Sequence, residues 1–344
     1  MRRLGLVLLL IAASAHAQLQ EKITVERILV DTRVTNDSGD PITGLKPEDF
    51  RVKIDGKLAK VESADWIPET AVARELANLD APQGQVNTSL DQPAPRGRLL
   101  IFFFQTDFVR EPSRMIGQMQ VLSERDKWLD WVEDEDRVAV FSFDSHLKFY
   151  EDFTSDKKRI ANAMEQALYL NEPLPVRTVP MPSLGKRIDP AEMRKAATPE
   201  AALIILGNAL RSIPGPKSLI LFGYGLGRYV HGFGVLMDPK YGSARYVLER
   251  ARVSVFSIDF TQADAHSLSA GMSKAAEDTG GFYASTFRFP AQAIDRLQHT
   301  LSGHYELEVR KPDLKTRGYH EIEVDVPSHR TANVMARTSY IDTD

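Results

Sequence analysis

The sequence predicts an α/β protein: a mainly parallel sheet with helices on both faces and one antiparallel edge strand, inserted between the two halves of a small β-sandwich. Three observations predict it. Wholly apolar runs such as "LLIFFF" (99–104) and "LILF" (219–222) alternate with segments of helical period, the pattern of strands buried on both faces. The chain before residue 70 and after residue 303 alternates apolar and polar residues instead, as half-buried antiparallel strands do. Each of those flanking blocks has too few strands to bury a sheet alone, so they are expected to share one core.

Taken in order, Arg2 and Arg3 precede an apolar run over 4–13, and Ala15-His16-Ala17 supplies small residues at a cleavage position. This is an export signal over 1–17, too short to span a bilayer as a helix. No later segment is apolar enough to cross, so no membrane span is expected in the mature chain. The chain is expected in the periplasm or outside the cell. It has no cysteine, which excludes disulfides, a thiolate nucleophile and Cys-ligated metal. Its 344 residues and net charge of -4 allow a sizeable core and argue against a nucleic-acid partner.

Residues 18–70 read as the first half of the sandwich, with Asp55-Gly56 as a hairpin turn. Residues 71–97, with Pro82, Pro93 and Pro95, read as an extended linker carrying a chance-level sequon at Asn87. The α/β domain spans 98–302. Its first helix is expected over 114–132 with Ile116, Met119, Leu122, Leu129 and Val132 inward, and one of Trp128 and Trp131 over the sheet edge. "RVAVFSF" and "HLKFYEDF" form a hairpin turned at Asp144-Ser145. Ser155 is a candidate N-cap for the next helix, and Thr198, before Pro199, for a later one. A Pro-rich loop fills 171–197. The second half of the sandwich spans 303–344.

The order strand, helix, strand, antiparallel hairpin strand, helix, helix, strand resembles a von Willebrand factor type A domain, and "VAVFSFDSHLKFYEDF" is its most telling part. The flanks "VDTRVTNDSGDPITGLKPEDFRVKIDGK" and "HYELEVRKPDLKTRGYHEIEVDV" resemble those of type A-related proteins abundant in acidobacteria. The resemblance implies a divalent-cation site at the carboxyl edge of the sheet: Asp-x-Ser-x-Ser after the first strand, a loop Thr, and an Asp after the fourth strand. Here those positions hold Gln105, Asp107 and Val109, then Thr198, then Tyr224. Two acids are lost, and hard cations need carboxylates among their oxygen ligands. The expectation is a vestigial site without metal or other cofactor.

Other motifs are incomplete. "GYGLGR" (223–228) is neither a dinucleotide fingerprint nor a P-loop nor a nucleophile elbow, and reads as tight-turn glycines. The histidines are scattered without ligand spacing and read as surface or capping residues. "EDED" (133–136) reads as a solvated loop. Open α/β sheets bind ligands outside the carboxyl ends of their strands, so a protein partner is expected at that edge. The candidate contacts are Thr106, Asp107, Asp144 and Tyr224, with Arg177, Lys186 and Arg187 from the Pro-rich loop. The reading is an exported binding module, for adhesion or assembly, that works without metal and is not an enzyme. The alternatives are metal-dependent adhesion, a hydrolase using Asp107 with a neighbouring His, and a purely structural envelope component.

Overall fold

The structure is a computed structural model that describes residues 26–80, 97–106, 112–177, 179–180, 182–263, 266–287, 290–314 and 317–342. The expected signal segment, the sequon at Asn87, Asp107 and Val109 lie outside those residues. In chain order the elements begin with β1 (Arg27–Thr35), β2 (Arg51–Ile54), β3 (Lys57–Pro68) and α1 (Ala71–Asp80). Next come β4 (Leu99–Gln105), α2 (Pro112–Ser123), α3 (Arg125–Asp130), β5 (Arg137–Phe143), β6 (Leu147–Thr154), α4 (Lys157–Leu168), α5 (Pro190–Lys195), α6 (Pro199–Leu210) and β7 (Lys217–Gly223). Then follow β8 (Arg228–Val230), β9 (Gly234–Leu236), α7 (Tyr241–Arg250), β10 (Val253–Asp259), α8 (Ser269–Thr279), β11 (Tyr283–Ser285) and α9 (Pro290–Thr300). The last strands are β12 (Gly303–Arg310), β13 (Gly318–Asp325), β14 (Asn333–Ala336) and β15 (Ser339–Asp342).

Six strands form one sheet in the order β11-β10-β7-β4-β5-β6. All neighbours in it are parallel except β5 and β6, which are antiparallel. Along β4 the apolar run divides between the two faces. Leu99, Ile101 and Phe103 enter the core under α6 and α7; Leu100, Phe102 and Phe104 enter the core under α2 to α4 and α9. That is why the run has no polar interruption: neither face meets water.

The flanking strands form a second sheet in the order β14-β1-β12-β3-β2-β13-β15. Strands from before and after the α/β unit pair directly, β1 with β12 and β2 with β13, around a shared core that includes Val30, Val52, Tyr305 and Leu307. Its end strands, β14 and β15, are two halves of one returning segment bent at Arg337 and Thr338.

Several local expectations are corrected. The first ten residues of the expected linker form helix α1, anchored where Glu133 accepts the Ala71 amide at 2.9 Å and where Arg74 meets Glu135 at 2.7 Å. The acidic run at 133–136 is therefore structural: Asp136 is fully buried and receives the Arg98 amide at 2.8 Å and the Arg98 side chain. The helix expected over 114–132 is two helices that break at Glu124; Leu122, Leu129 and Val132 pack inward as expected, whereas Ile116 and Met119 do not. Gly117 lies so close to β10 that an added Cβ would sit 1.7 Å from the Phe260 carbonyl. That approach turns Gln118 and Val121 inward and leaves Ile116 59% exposed. Trp128 and Trp131 are both buried; Trp128 packs edge-on to Phe222, and Arg98 lies over Trp131. Asp156, not Ser155, caps α4, accepting from Lys158 and Arg159 amides. His304 and His320 are buried, not superficial.

Candidate functional site at the carboxyl edge

Parallel strands β4, β5, β7 and β10 all end at one edge, at Gln105, Phe143, Gly223 and Asp259. A cavity of about 340 Å³ opens there, lined in part by Gln105, Thr198, Glu200, Tyr224, Arg228 and Asp238. The structure thus gathers three of the aligned positions, Gln105, Thr198 and Tyr224, around one space.

Each is already engaged. Gln105 is buried and its Oε1 accepts the Tyr224 and Gly225 amides, both at 3.2 Å. The close approach requires glycine at 223, where a Cβ would lie 2.7 Å from that oxygen. Thr198 is the N-cap of α6, its Oγ1 accepting the Ala201 amide at 3.2 Å. The Tyr224 ring packs edge-on to Phe260 and under the Arg114 guanidinium, 4.0 Å from it. Glu200, also buried, accepts the Gly227 amide at 3.1 Å. A hard cation needs several oxygens with carboxylates among them. The described residues at the aligned positions present an amide, a hydroxyl and a phenol, and the first two oxygens are holding backbone. They do not fit such an ion.

The neighbouring candidates divide. Thr106 is buried at the edge, its amide donating to the Phe143 carbonyl at 2.9 Å. Asp144 is committed to its own turn, accepting from the Ser145 amide and hydroxyl and from Lys148 at 2.9 Å. Burial opposes its ionisation, but those bonds outweigh it and hold the carboxyl below the usual range.

The Pro-rich loop starts at this edge, where Glu172 meets Lys148 at 2.9 Å, but does not stay there. Ser183, Leu184 and Gly185 all donate to Asp152, near the far end of the antiparallel strand β6. Arg187 then reaches Ser212, between α6 and the start of β7. Lys186 and Arg187 therefore sit toward the amino edge, contrary to expectation. The expectation took the loop to stay where its flanking helices begin and end, but Asp152 binds its middle along β6. Arg177 is exposed on that descending path, just after Val176, which packs on the core.

One polar group at the carboxyl edge had not been anticipated. Asp259, buried at the end of β10, receives Tyr283 at 2.7 Å and His266 Nε2 at 2.6 Å, with the Thr261 amide at 2.9 Å. Burial, then the adjacent carboxylate, pushes the Tyr283 phenol up. The signal available in the sequence was an Asp ending an otherwise apolar strand, the same signal read at Gln105. A second polar cluster lies at the opposite edge. Asp31, His304 and Glu306 bring ligand atoms within 4.8 Å of one another. Arg252 already bridges the two carboxylates, however, at 2.5 Å and 2.6 Å, so the cationic place is taken.

No protein-family model matches the chain, and no curated protein matches it. Among solved structures it is similar to a human COPII-coat protein at 13% identity and TM-score 0.39, over 72% of this chain and 44% of that one. It is similar to a von Willebrand factor type A protein from Catenulispora acidiphila at 8% identity and TM-score 0.40, over 94% and 76%. It is also similar to the three N-terminal domains of the type V pili tip protein Mfa5 from Porphyromonas gingivalis, at 8% and 0.39, over 93% and 66%. The chain spans less than half of the COPII-coat protein. The assignment of fold rests on the strand order itself: five parallel strands, an antiparallel edge strand joined by the Asp144-Ser145 hairpin, and helices on both faces. In that arrangement the six-stranded unit has a von Willebrand factor type A-like fold.

Proposed function

We propose that this chain is an exported protein-binding module, for adhesion or assembly, whose carboxyl-edge cleft recognises its partner without a metal ion and without catalysis. The observation that carries the reading is Gln105. Its neutral amide spans to the β7 turn and holds the Tyr224 and Gly225 amides, where the family motif carries a carboxylate for a cation. The exposed and half-exposed groups around the cleft, Tyr224, Arg228 and Asp238, are the contact residues; Asp107 and Arg177 are additional candidates. Export is supported by the basic, apolar and small-residue succession over 1–17.

A ligand bound only by the folded state must stabilise it by mass action. Millimolar Mg²⁺, Ca²⁺ or Mn²⁺ is therefore expected to leave the melting temperature unchanged. Calorimetry that showed tight stoichiometric divalent binding, lost in Asp107→Ala, would replace this reading with metal-dependent adhesion. The partner arm of the test is cross-linking from the cleft. A product formed with the wild-type chain in chelator, and absent with Tyr224→Ala and Arg228→Ala together, is expected. Cross-linking that persists in that variant overturns the placement.

A further inference from the structure

Strands β8 and β9 form a two-stranded hairpin apart from both large sheets. It stands at the carboxyl edge, rooted where an added Cβ at Gly227 would meet the Leu236 carbonyl at 2.6 Å. Between Arg228 and Asp238 the sequence is "YVHGFGVLM", with no acidic residue and no lysine or arginine. Its large side chains point to water: Phe233 is 79% exposed, Tyr229 55% and Leu236 41%. Gly232 and Gly234, at φ 82° and 79° with open space around them, form the tight tip that carries Phe233. A two-stranded ribbon is marginally stable alone, and exposing an aromatic at its tip adds nothing to the fold.

We propose that this hairpin is a membrane-contact finger that inserts Phe233 and Tyr229 into the interfacial region of an anionic lipid surface. Shape and charge favour a bilayer over a protein pocket. The apolar surface is convex and narrow, so it does not provide the broad patch that protein interfaces bury. A lipid interface needs only an uncharged tip with aromatic side chains, which prefer that depth. The base of the finger supplies the matching charge. Arg228 and Lys240 are exposed, while the carboxylate of Asp238 is turned back onto the Lys240 amide at 2.8 Å. The finger shares Arg228 and Asp238 with the rim of the cleft, but the inference concerns what holds the chain near a surface, not what the cleft recognises.

The test uses the purified chain with vesicles of phosphatidylcholine alone and of phosphatidylcholine mixed with phosphatidylglycerol. Wild type is expected to co-sediment with the mixed vesicles, and Phe233→Ser to bind about tenfold more weakly, the loss of one anchoring side chain. Both proteins share the same N-terminus, so any binding by residues 1–25 cancels in the comparison. Tyr229→Trp, a probe within the finger, is expected to shift its emission to the blue on adding vesicles. Far-UV circular dichroism checks that each variant folds. Equal co-sedimentation of wild type and Phe233→Ser, or no emission shift from the Trp probe, overturns the proposal. Binding of equal strength to both kinds of vesicle overturns its electrostatic part.

Discussion

Arg252 grips Asp31 at two points, Nε to Oδ2 at 2.9 Å and Nη2 to Oδ1 at 2.5 Å. The same Nη2 reaches Glu306 at 2.6 Å. Arg252 immediately precedes β10, whereas Asp31 and Glu306 face each other across β1 and β12. One guanidinium thus ties the foot of the parallel sheet to the seven-stranded sheet. Arg33 adds a second tie from β1, to Glu69 at 3.4 Å and to Ser254 of β10 at 3.5 Å.

Removing the guanidinium leaves two carboxylates facing each other in a largely enclosed place. Breaking one partner out of a buried ion pair costs about 3–5 kcal/mol, and the partial exposure of Glu306 argues for the lower end. Arg252→Gln is therefore expected to lower the unfolding free energy by about 3 kcal/mol. If the tie is what couples the two units, denaturation followed by tryptophan emission and by far-UV circular dichroism should lose coincidence in the variant. A variant as stable and as cooperative as wild type would show that the junction is held by packing instead.

Glu249 gives the protein a pH response of predictable sign. It is buried at the end of α7, accepts the Ser339 hydroxyl, and lies 3.6 Å from Arg245. Burial pushes its carboxyl up from the usual 4.5 to about 7, although Ser339 and Arg245 pull the other way. The folded state therefore holds the proton more tightly than the unfolded chain. Its stabilising contribution is complete below pH 4.5 and is lost as pH rises through about 7. At pH 8 ionisation costs at most about 3 kcal/mol. Glu249→Gln keeps the acceptor for Ser339 and removes the charge. Its melting temperature relative to wild type should rise between pH 5 and pH 8; a difference that is flat or falls over that interval counts against the assignment.

The packing of α2 on β10 makes a steric prediction. An added Cβ at Gly117 would sit on the Phe260 carbonyl, a backbone atom that cannot swing away. Gly117→Ala is expected to destabilise by about 1–3 kcal/mol, despite the better helix propensity of alanine. Ile116→Ala, one residue away and mostly exposed, should change stability by less than about 0.5 kcal/mol. Chemical denaturation of the two variants side by side decides it, and the reverse ranking would restore the inward face expected from periodicity.

That reversal marks where the sequence stops being informative. Runs such as 99–104, the Asp55-Gly56 and Asp144-Ser145 turns, and the Thr198 cap are local patterns whose physical meaning is complete within a few residues. The face of α2 is not local: Ile116, Met119 and Leu122 share one apolar spacing, yet only Leu122 packs on the core, because Gly117 seated on the Phe260 carbonyl decides which side approaches. The ties from Arg252 to Asp31 and from Asp259 to Tyr283 join residues 221 and 24 apart in the chain. Nothing in either neighbourhood announces the other. Gln105 was legible as a departure from a metal motif, but not as the acceptor that braces the β7 turn, because its donors are backbone amides that any residue carries.

The brace itself supplies the last prediction. If the loss of two carboxylates is what disables the edge for metal, restoring them should bring cation dependence back. Gln105→Asp alone shortens the side chain and gives up the two amides at 3.2 Å, so it should destabilise by about 1–3 kcal/mol and gain little from divalent ions. Gln105→Asp with Tyr224→Asp places two carboxylates at neighbouring strand ends and removes the ring that packs on Phe260. Their mutual repulsion destabilises the apo form, and a cation that bridges them relieves it. The double variant is expected to melt below wild type in chelator and to recover with millimolar Mn²⁺ or Mg²⁺, as mass action requires of a ligand bound to the folded state alone. Wild type is expected to show no such recovery. A double variant equally indifferent to cations would mean that the geometry of the edge, and not only its missing charge, has departed from a metal site.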